Sequence, residues 1–335
     1  RNRRSRCRRN WDRFRCERRA VSGASDAEAG GGRHAPVLLE AALDALAIRS
    51  DGRYVDATFG RGGHAGAILG RLGEKGTLLA IDRDPEASAA AVRLFGSDPR
   101  AKFRQARFSE LSRFVPAGSV DGILFDLGVS SPQLDDPHRG FSFLRDGPLD
   151  MRMDPQHGES AAQWLARATE REIATVIARY GEERHARRIA RAIVAARGVA
   201  PLKTTGELAA VISAAAPRRQ TGIHPATRSF QALRIHVNDE LGEIERALPQ
   251  AIEALAPAGR LVVISFHSLE DRIAKRFMRA ASREDPAFAG LPEVPLGAQP
   301  KLRLVGRAVF ADAGEVARNP RARSAVLRAA ERLAA

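Results

Sequence analysis

Val55-Asp56-Ala57-Thr58-Phe59-Gly60-Arg61-Gly62-Gly63-His64 decides how this chain reads. A short β-rich run, Arg53–Thr58, enters a glycine cluster, and a helical pattern over Gly63–Leu72 leaves it. Glycines at such a turn let the backbone approach a ligand where a Cβ would clash. The helix N-terminus beyond it offers unpaired N–H donors to an anionic group. Gly60, Gly62 and Ala65 fit the dinucleotide pattern G-x-G-x-x-G/A. An ordinary glycine-rich turn between strand and helix is the plainer reading of the same residues.

Working outward, the pattern repeats. Thr77–Asp82 is a continuous apolar run and predicts a buried strand. Pro85–Leu94 predicts a helix, with Pro85 suited to its first turn. Ala101–Gln105 is a weaker strand candidate and Val120–Leu127 a strong one. Upstream, Pro36–Leu46 predicts a helix with Val37, Leu38, Ala41, Ala42 and Ala45 on one stripe. Strands alternating with helices predict an α/β fold, a doubly wound Rossmann-like sheet. Nearly continuous apolar strands suit a sheet covered on both faces.

Three of these strands end in a carboxylate: Asp56, Asp82 and Asp126. Ligands of open α/β sheets bind beyond the carboxyl ends of the strands, at the topological switch. The three acids are therefore expected in one crevice. Asp82, at the end of the second strand, suits an acceptor for ribose hydroxyls, while Asp84-Pro85 is the better helix cap. Asp126 is followed by Leu127-Gly128-Val129-Ser130-Ser131-Pro132-Gln133.

After Asp135 the pattern changes. A segment rich in Pro, Gly and charge runs to Asp154, with Phe141 and Phe143 in it. Four helical segments follow, Ser160–Ala168, Glu170–Tyr180, Glu183–Arg197 and Thr205–Ala215, with no strand candidate between them. The α/β pattern resumes with one helix over Pro225–Ala254 and a strand over Arg260–Ser265. Short strand candidates stand at Leu302–Leu304 and Ser324–Leu327. The expected plan is a disordered Arg-rich extension over 1–33, an α/β domain in two parts over 34–136 and 223–335, and an all-helical insert domain over 137–222 for substrate recognition.

Composition narrows the classes. The chain has 335 residues, enough for a full core without disulfide or metal staples. No window approaches the roughly 18 apolar residues of a membrane span. Cys7 and Cys16 are its two cysteines, which excludes a disulfide framework, a cysteine-built zinc site and thiol catalysis in the body of the chain. Net charge is +14, and residues 1–33, with 11 Arg against Asp12, Glu17, Asp26 and Glu28, hold +7 of it. That segment is read as extra residues from an upstream start, ahead of a nucleic-acid arm or an organelle transit peptide. The body stays mildly basic, which favours a polyanion partner.

The chain resembles the bacterial 16S ribosomal RNA (cytosine-N4) methyltransferase family. The resemblance rests on His34-Ala35-Pro36-Val37-Leu38-Leu39, Thr58 to His64 and Ala80-Ile81-Asp82-Arg83-Asp84. It continues through Asp126 to Asp154, including Arg139-Gly140-Phe141-Ser142-Phe143 and Asp150-Met151-Arg152-Met153-Asp154. Tyr180-Gly181-Glu182-Glu183, His224-Pro225-Ala226-Thr227-Arg228, Ser265 to Arg272 and Asn319 to Ser324 complete it. It implies S-adenosyl-L-methionine as cofactor, with Gly62, Gly63 and His64 at its methionine end. Asp82 then takes the ribose and Phe108 packs on the adenine. Asp126 and Gln133 complete the crevice.

The implied substrate is a cytidine of small ribosomal subunit RNA in the decoding region, and the implied location is cytoplasmic. The exocyclic N4 is a poor nucleophile because its lone pair is delocalised into the ring. Acceptors on its N–H groups localise that pair, so Asp126 and the main chain over Ser130–Pro132 form the expected catalytic set, with Ser131 and Pro132 beside Asp126. Families that methylate exocyclic amines commonly add an aromatic there. This chain has none in that stretch, and Phe141 or Phe143 is the substitute. Arg139, Phe141, His224 and Arg228 are the expected RNA contacts, although His224 and Arg228 also read as a helix start. Around His185, Arg184, Arg187, Arg188 and Arg191 recur at helical spacing, as either a solvated face or an RNA contact. His267 has no second His or Cys at ligand spacing, so no metal is expected. The competing classes are a nicotinamide-dependent oxidoreductase, which keeps the turn and Asp82, and a non-catalytic RNA-binding factor.

Overall fold

The computed structural model describes residues 36–216, 224–288 and 295–334. The expected extension over 1–33 lies outside them. The sheet forms from β1 (Arg53–Asp56), β2 (Thr77–Asp82), β3 (Ala101–Gln105), β4 (Val120–Asp126), β5 (Leu255–Ser265), β6 (Leu302–Phe310) and β7 (Val326–Arg332). Its order is β3-β2-β1-β4-β5-β7-β6. The first five strands run parallel and β7 runs antiparallel to both neighbours. The order reverses between β1 and β4, which is the switch point where open α/β sheets bind ligands.

Apolar runs explain the central strands. Val55, Ile81, Ile123, Leu124, Val262 and Ile264 are all buried to within 1%, which suits strands covered by helices on both faces. One face carries α1 (Leu39–Leu46), α2 (Gly63–Arg71) and α3 (Pro85–Phe95), whose Leu43, Ile68 and Ala91 join one core. The other carries α10 (Glu240–Ala254) and α11 (Ser268–Ala281), whose Leu248 and Met278 join a second.

Between β4 and β5 stand α4 (Ser131–Asp135), α5 (Ala161–Arg167), α6 (Glu170–Gly181), α7 (Ala186–Val199), α8 (Thr205–Ala215) and α9 (Thr227–Asn238). Helices α5 to α8 build the expected helical core, with Trp164, Ile177, Ile193 and Ile212 inside it. Ser160, Thr169 and Thr204 start three of them as capping boxes, each accepting from the amide three residues on. That core also takes Phe230 and Leu233 of α9, so the helical layer reaches past residue 222.

Several element boundaries differ from the sequence reading. Leu38 takes a left-handed conformation (φ 54°), so α1 begins at Leu39 and not at Pro36. The amide of Leu38 instead donates to Glu315 Oε1 at 2.6 Å, on α12 (Ala313–Arg318) near the C-terminus. The single helix expected over Pro225–Ala254 is two helices, broken at Asp239 (φ 50°). The break lets Asn238 turn inward, where it accepts from the Met153 amide at 2.8 Å and donates to the Met151 carbonyl at 2.7 Å. The short C-terminal strand candidates are the longer β6 and β7, paired as an antiparallel unit along the sheet edge. Among the described residues no helix is long and apolar enough to cross a membrane.

Candidate active site

Asp56, Asp82 and Asp126 do stand at the ends of adjacent strands β1, β2 and β4. The backbone of the glycine turn is built on them. Asp82 Oδ2 accepts the Gly60 amide at 2.7 Å, and its Oδ1 accepts the Asp84 amide at 2.8 Å. Asp56 Oδ1 accepts the Thr58 amide at 3.1 Å, and Thr58 Oγ1 accepts the Asp126 amide at 2.6 Å. Thr58 thus locks β1 to β4 across the switch point, a role its place in the motif did not reveal.

The glycines are required by the protein's own packing. Gly62 has φ +80°, and a Cβ there would lie 2.5 Å from Leu94 and 2.7 Å from Phe59. A Cβ on Gly63 would lie 2.4 Å from Pro36. The turn is drawn tight against Pro36, Phe59 and Leu94.

His64, in the first turn of α2, is buried. Its Nε2 lies 3.2 Å from the Val37 carbonyl and its Nδ1 3.4 Å from Asp126 Oδ2. Burial lowers its pKa, but the hydrogen bond and charge of Asp126, with the charge of Asp56, more than reverse this and the net shift is upward. Asp56 is 1% exposed, and burial pushes its carboxyl up to about 7 against the opposing pull of His64 and the Thr58 amide. Burial likewise pushes Asp82 up to about 6, opposed by the Asp84 and Gly60 amides. Asp56 Oδ2 and Asp126 Oδ1 are buried without a hydrogen-bond partner. Buried oxygens of this kind are costly unless something donates to them or a cation lies near.

Phe108 opens a 3₁₀ turn after β3, half-buried, with its ring edge-on to Phe125 at 5.7 Å. Gln133 is buried on α4. Its Nε2 donates to Asp84 Oδ2 at 2.6 Å and its Oε1 accepts the Ser130 amide at 2.8 Å. Its side chain therefore holds α4 against the start of α3. Ser131 and Pro132 lie in the first turn of α4, half-buried. The Ser130 and Pro132 carbonyls accept the amides of Leu134 and Asp136. Each of these carbonyls thus takes one bond of the short helix.

Two expected RNA contacts face inward. Arg139 is 8% exposed, and its Nη1 meets Asp84 Oδ2 at 2.9 Å and Glu86 Oε1 at 3.2 Å. Its Nη2 donates to the Met153 carbonyl at 2.9 Å. Phe141 is buried in the helical core. Burial commits both to packing here, Arg139 to Asp84, Glu86 and the Met153 carbonyl and Phe141 to the helical core. Asp84, read from sequence as a helix cap, does more than cap. It caps α3 through the Glu86 amide and receives both Gln133 and Arg139. His224 and Arg228 are exposed. The His224 ring lies 4.5 Å from that of Phe143, and Arg228 donates to the Glu182 carbonyl at 3.2 Å.

His267 accepts the Glu270 amide in the capping box of α11, and its Nε2 lies 3.2 Å from Glu270 Oε1. Glu240 joins them in one group of potential metal donors. Both Glu240 oxygens are held by Arg234 at 2.8 Å.

A profile of the MraW methylase family matches residues 32–333. Ribosomal RNA small subunit methyltransferase H of Thioalkalivibrio sulfidiphilus (strain HL-EbGR7) is 58% identical over 306 residues, covering 90% of this chain and 98% of that protein. The protein of the same name from Halorhodospira halophila (strain DSM 244 / SL1) is 60% identical over 305 residues, covering 90% and 94%. Among solved structures, TrmN from Thermus thermophilus aligns with 88% of this chain and 48% of that one, at TM-score 0.41 and 14% identity. The family match takes in the glycine turn, the acidic strand ends and the helical insert alike, so the chain belongs to the MraW methylase family.

Proposed function

We propose that this protein transfers a methyl group from S-adenosyl-L-methionine to the N4 amine of a cytidine in the decoding region of 16S ribosomal RNA, in the cytoplasm. Relatives named ribosomal RNA small subunit methyltransferase H, at 58–60% identity over nearly their full length, support the substrate class. The observation that carries the reaction is Asp126. One of its oxygens faces His64, and the other is buried with no partner at the switch point.

The crevice fits the cofactor. A sulfonium is a cation, and Asp56, Asp82 and Asp126 surround the turn with carboxylates, two of which carry a buried oxygen in need of a partner. Gly62 and Gly63 present backbone to it, Asp82 stands where ribose hydroxyls are met, and Phe108 offers a half-buried ring to the adenine. When bound, the cofactor supplies an electrophilic methyl group. Asp126 Oδ1 accepts an N–H of the cytidine amine, which localises the nitrogen lone pair, and stabilises the positive charge that grows there. The same oxygen stands ready for the proton that the amine must lose. His64 holds the opposite oxygen and so fixes the carboxylate plane. Much of the rate then comes from positioning.

Single-turnover transfer to unmodified small ribosomal subunits tests this, with nucleoside mass spectrometry of the product. N4-methylcytidine should appear, and Asp126→Asn should lower its rate about 10²–10³-fold, typical for loss of one preorganised group, with RNA affinity unchanged. A near-normal rate would remove Asp126 from the acceptor side. No methylated cytidine in the wild-type reaction would return the chain to the class of non-catalytic RNA-binding factors.

A further inference from the structure

Besides the Arg139 contact with Asp84, the helical insert meets the α/β body at a glutamate. Glu182, just past α6, accepts from Arg272 at 3.1 Å through Oε1 and from Ser268 at 3.1 Å through Oε2. Its carbonyl takes Arg228, as described. Ser268 and Arg272 form the first turns of α11, which follows β5, the strand paired with β4 through Ile264 and Asp126. Phe266, between them, lies against Gly128 on the segment that leaves Asp126. The Glu182 junction therefore sits at the rim of the catalytic crevice.

Two basic stripes leave that junction. Arg187, Arg188 and Arg191 are exposed on α7, and Arg184 is exposed in the turn before it. Arg272, Arg276 and Arg279 are exposed on α11. Arg272 pairs with Glu182, and Arg191 reaches Glu170 only at 3.8 Å. Among the described residues, Arg184, Arg187, Arg188, Arg276 and Arg279 pair with no carboxylate, although most arginines elsewhere on the body do. Opposite faces of both helices are committed to cores through Ile189, Ile193, Ala274 and Met278. The stripes thus present guanidinium groups and no apolar band.

We propose that the exposed arginines of α7 and α11 form a phosphate track that carries the RNA strand across the Glu182 junction into the crevice. The inference rests on the RNA reading above. Guanidinium matches phosphate in a bidentate fork, and phosphate contacts set the register of a nucleic acid without reading its sequence. Few exposed aromatic rings are available for stacking, so backbone charge is what this surface can hold. An anionic membrane would need apolar residues beside the arginines, and neither stripe has them.

The test uses the full chain with Arg184→Gln, Arg187→Gln and Arg188→Gln together. The control variant, Lys75→Gln, Lys102→Gln and Arg104→Gln, removes the same charge around β2 and β3 at the opposite edge of the sheet. The probes are unmodified 16S ribosomal RNA, small ribosomal subunits and phosphatidylglycerol vesicles. Each phosphate contact adds about 0.7–0.9 to the slope of log affinity against log salt. The α7 variant should lose about 2 from that slope and raise KM for RNA at least tenfold, with kcat and S-adenosylhomocysteine affinity unchanged. The control should keep the wild-type slope. An equal loss in the control, or an unchanged slope and KM in the α7 variant, would overturn the track. So would a variant that loses vesicle binding and keeps RNA binding. A wild-type enzyme that binds RNA with the expected slope but methylates none would instead sink the proposed function alone.

Discussion

His64 Nδ1 lies 3.4 Å from Asp126 Oδ2, while the other nitrogen of the same ring faces the Val37 carbonyl at 3.2 Å. A carbonyl only accepts, so Nε2 must carry a proton. The contact with Asp126 is then attractive only when Nδ1 carries one as well. The charge of Asp126 beside Nδ1 therefore favours the protonated ring, in line with the upward shift of the His64 pKa.

His64→Ala should therefore destabilise the protein most in mild acid. A histidine with a raised folded pKa contributes stability that is fully present below its unfolded value, about 6.5, and is lost as pH rises through the folded value. Losing one partner of a buried charged contact costs about 1–3 kcal/mol. Thermal unfolding from pH 5.5 to 9 should show the gap between wild type and variant narrowing with pH. A gap independent of pH would make the ring a packing element only.

Asp56→Asn should act with the opposite sign. An acid raised to about 7 from 3.8 binds its proton more tightly in the folded state. Its contribution is most favourable at low pH and falls as pH rises between those two values. The amide cannot ionise, so the ligand-free variant should unfold at the same or a higher temperature than wild type at pH 8, by at most about 4 kcal/mol of stability. Its stability should also vary less between pH 5 and 8. A variant less stable than wild type at pH 8 would show that the carboxylate is satisfied in the ligand-free protein.

Asp82→Ala should weaken cofactor binding about 10–150-fold, from the loss of hydrogen bonds to a charged acceptor. The same carboxylate pins the Gly60 and Asp84 amides, so the turn should also loosen. Asp82→Asn keeps one acceptor and should lose less affinity. Calorimetry with S-adenosylhomocysteine measures both. Wild-type affinity in the alanine variant would remove Asp82 from the ribose position.

Arg139→Gln should unfold more readily by about 3–5 kcal/mol, the range for breaking a buried ion pair. Folded variant should bind RNA as wild type does. Denaturant unfolding and RNA titration separate the two effects. Intact stability with weakened RNA binding would return Arg139 to the surface.

The acidic strand ends were legible because strand length and the following turn are local features. Asp56, Asp82 and Asp126 each close an apolar run, and parallel strands bring such ends together whatever the rest of the chain does. The direction of a charged side chain is not local. Arg139 reads as a surface cation until Asp84, 55 residues away in sequence, is placed beside it. The break at Asp239 was hidden for the same reason. Neither Gly nor Pro marks it, and what holds it is the bond from Asn238 to Met153, 85 residues away. Strand β6 read short because Gly306 and Arg307 interrupt its apolar run, and β7 because Arg328, Ala329, Ala330 and Glu331 follow Leu327 and blur the strand pattern.

The bond between Leu38 and Glu315 spans 277 residues, and it sets an order of assembly. Synthesis releases the N-terminal elements first, so β1 to β4 and the glycine turn emerge early. Their outer wall does not close with them. Pro36, which crowds Gly63, stands two residues before Leu38, whose amide is held by a helix near the other end. Beyond that helix, β7 must still slot between β5 and β6. Contacts of such long sequence separation form late. The wall of the crevice beside Gly63 is therefore among the last parts of this fold to close.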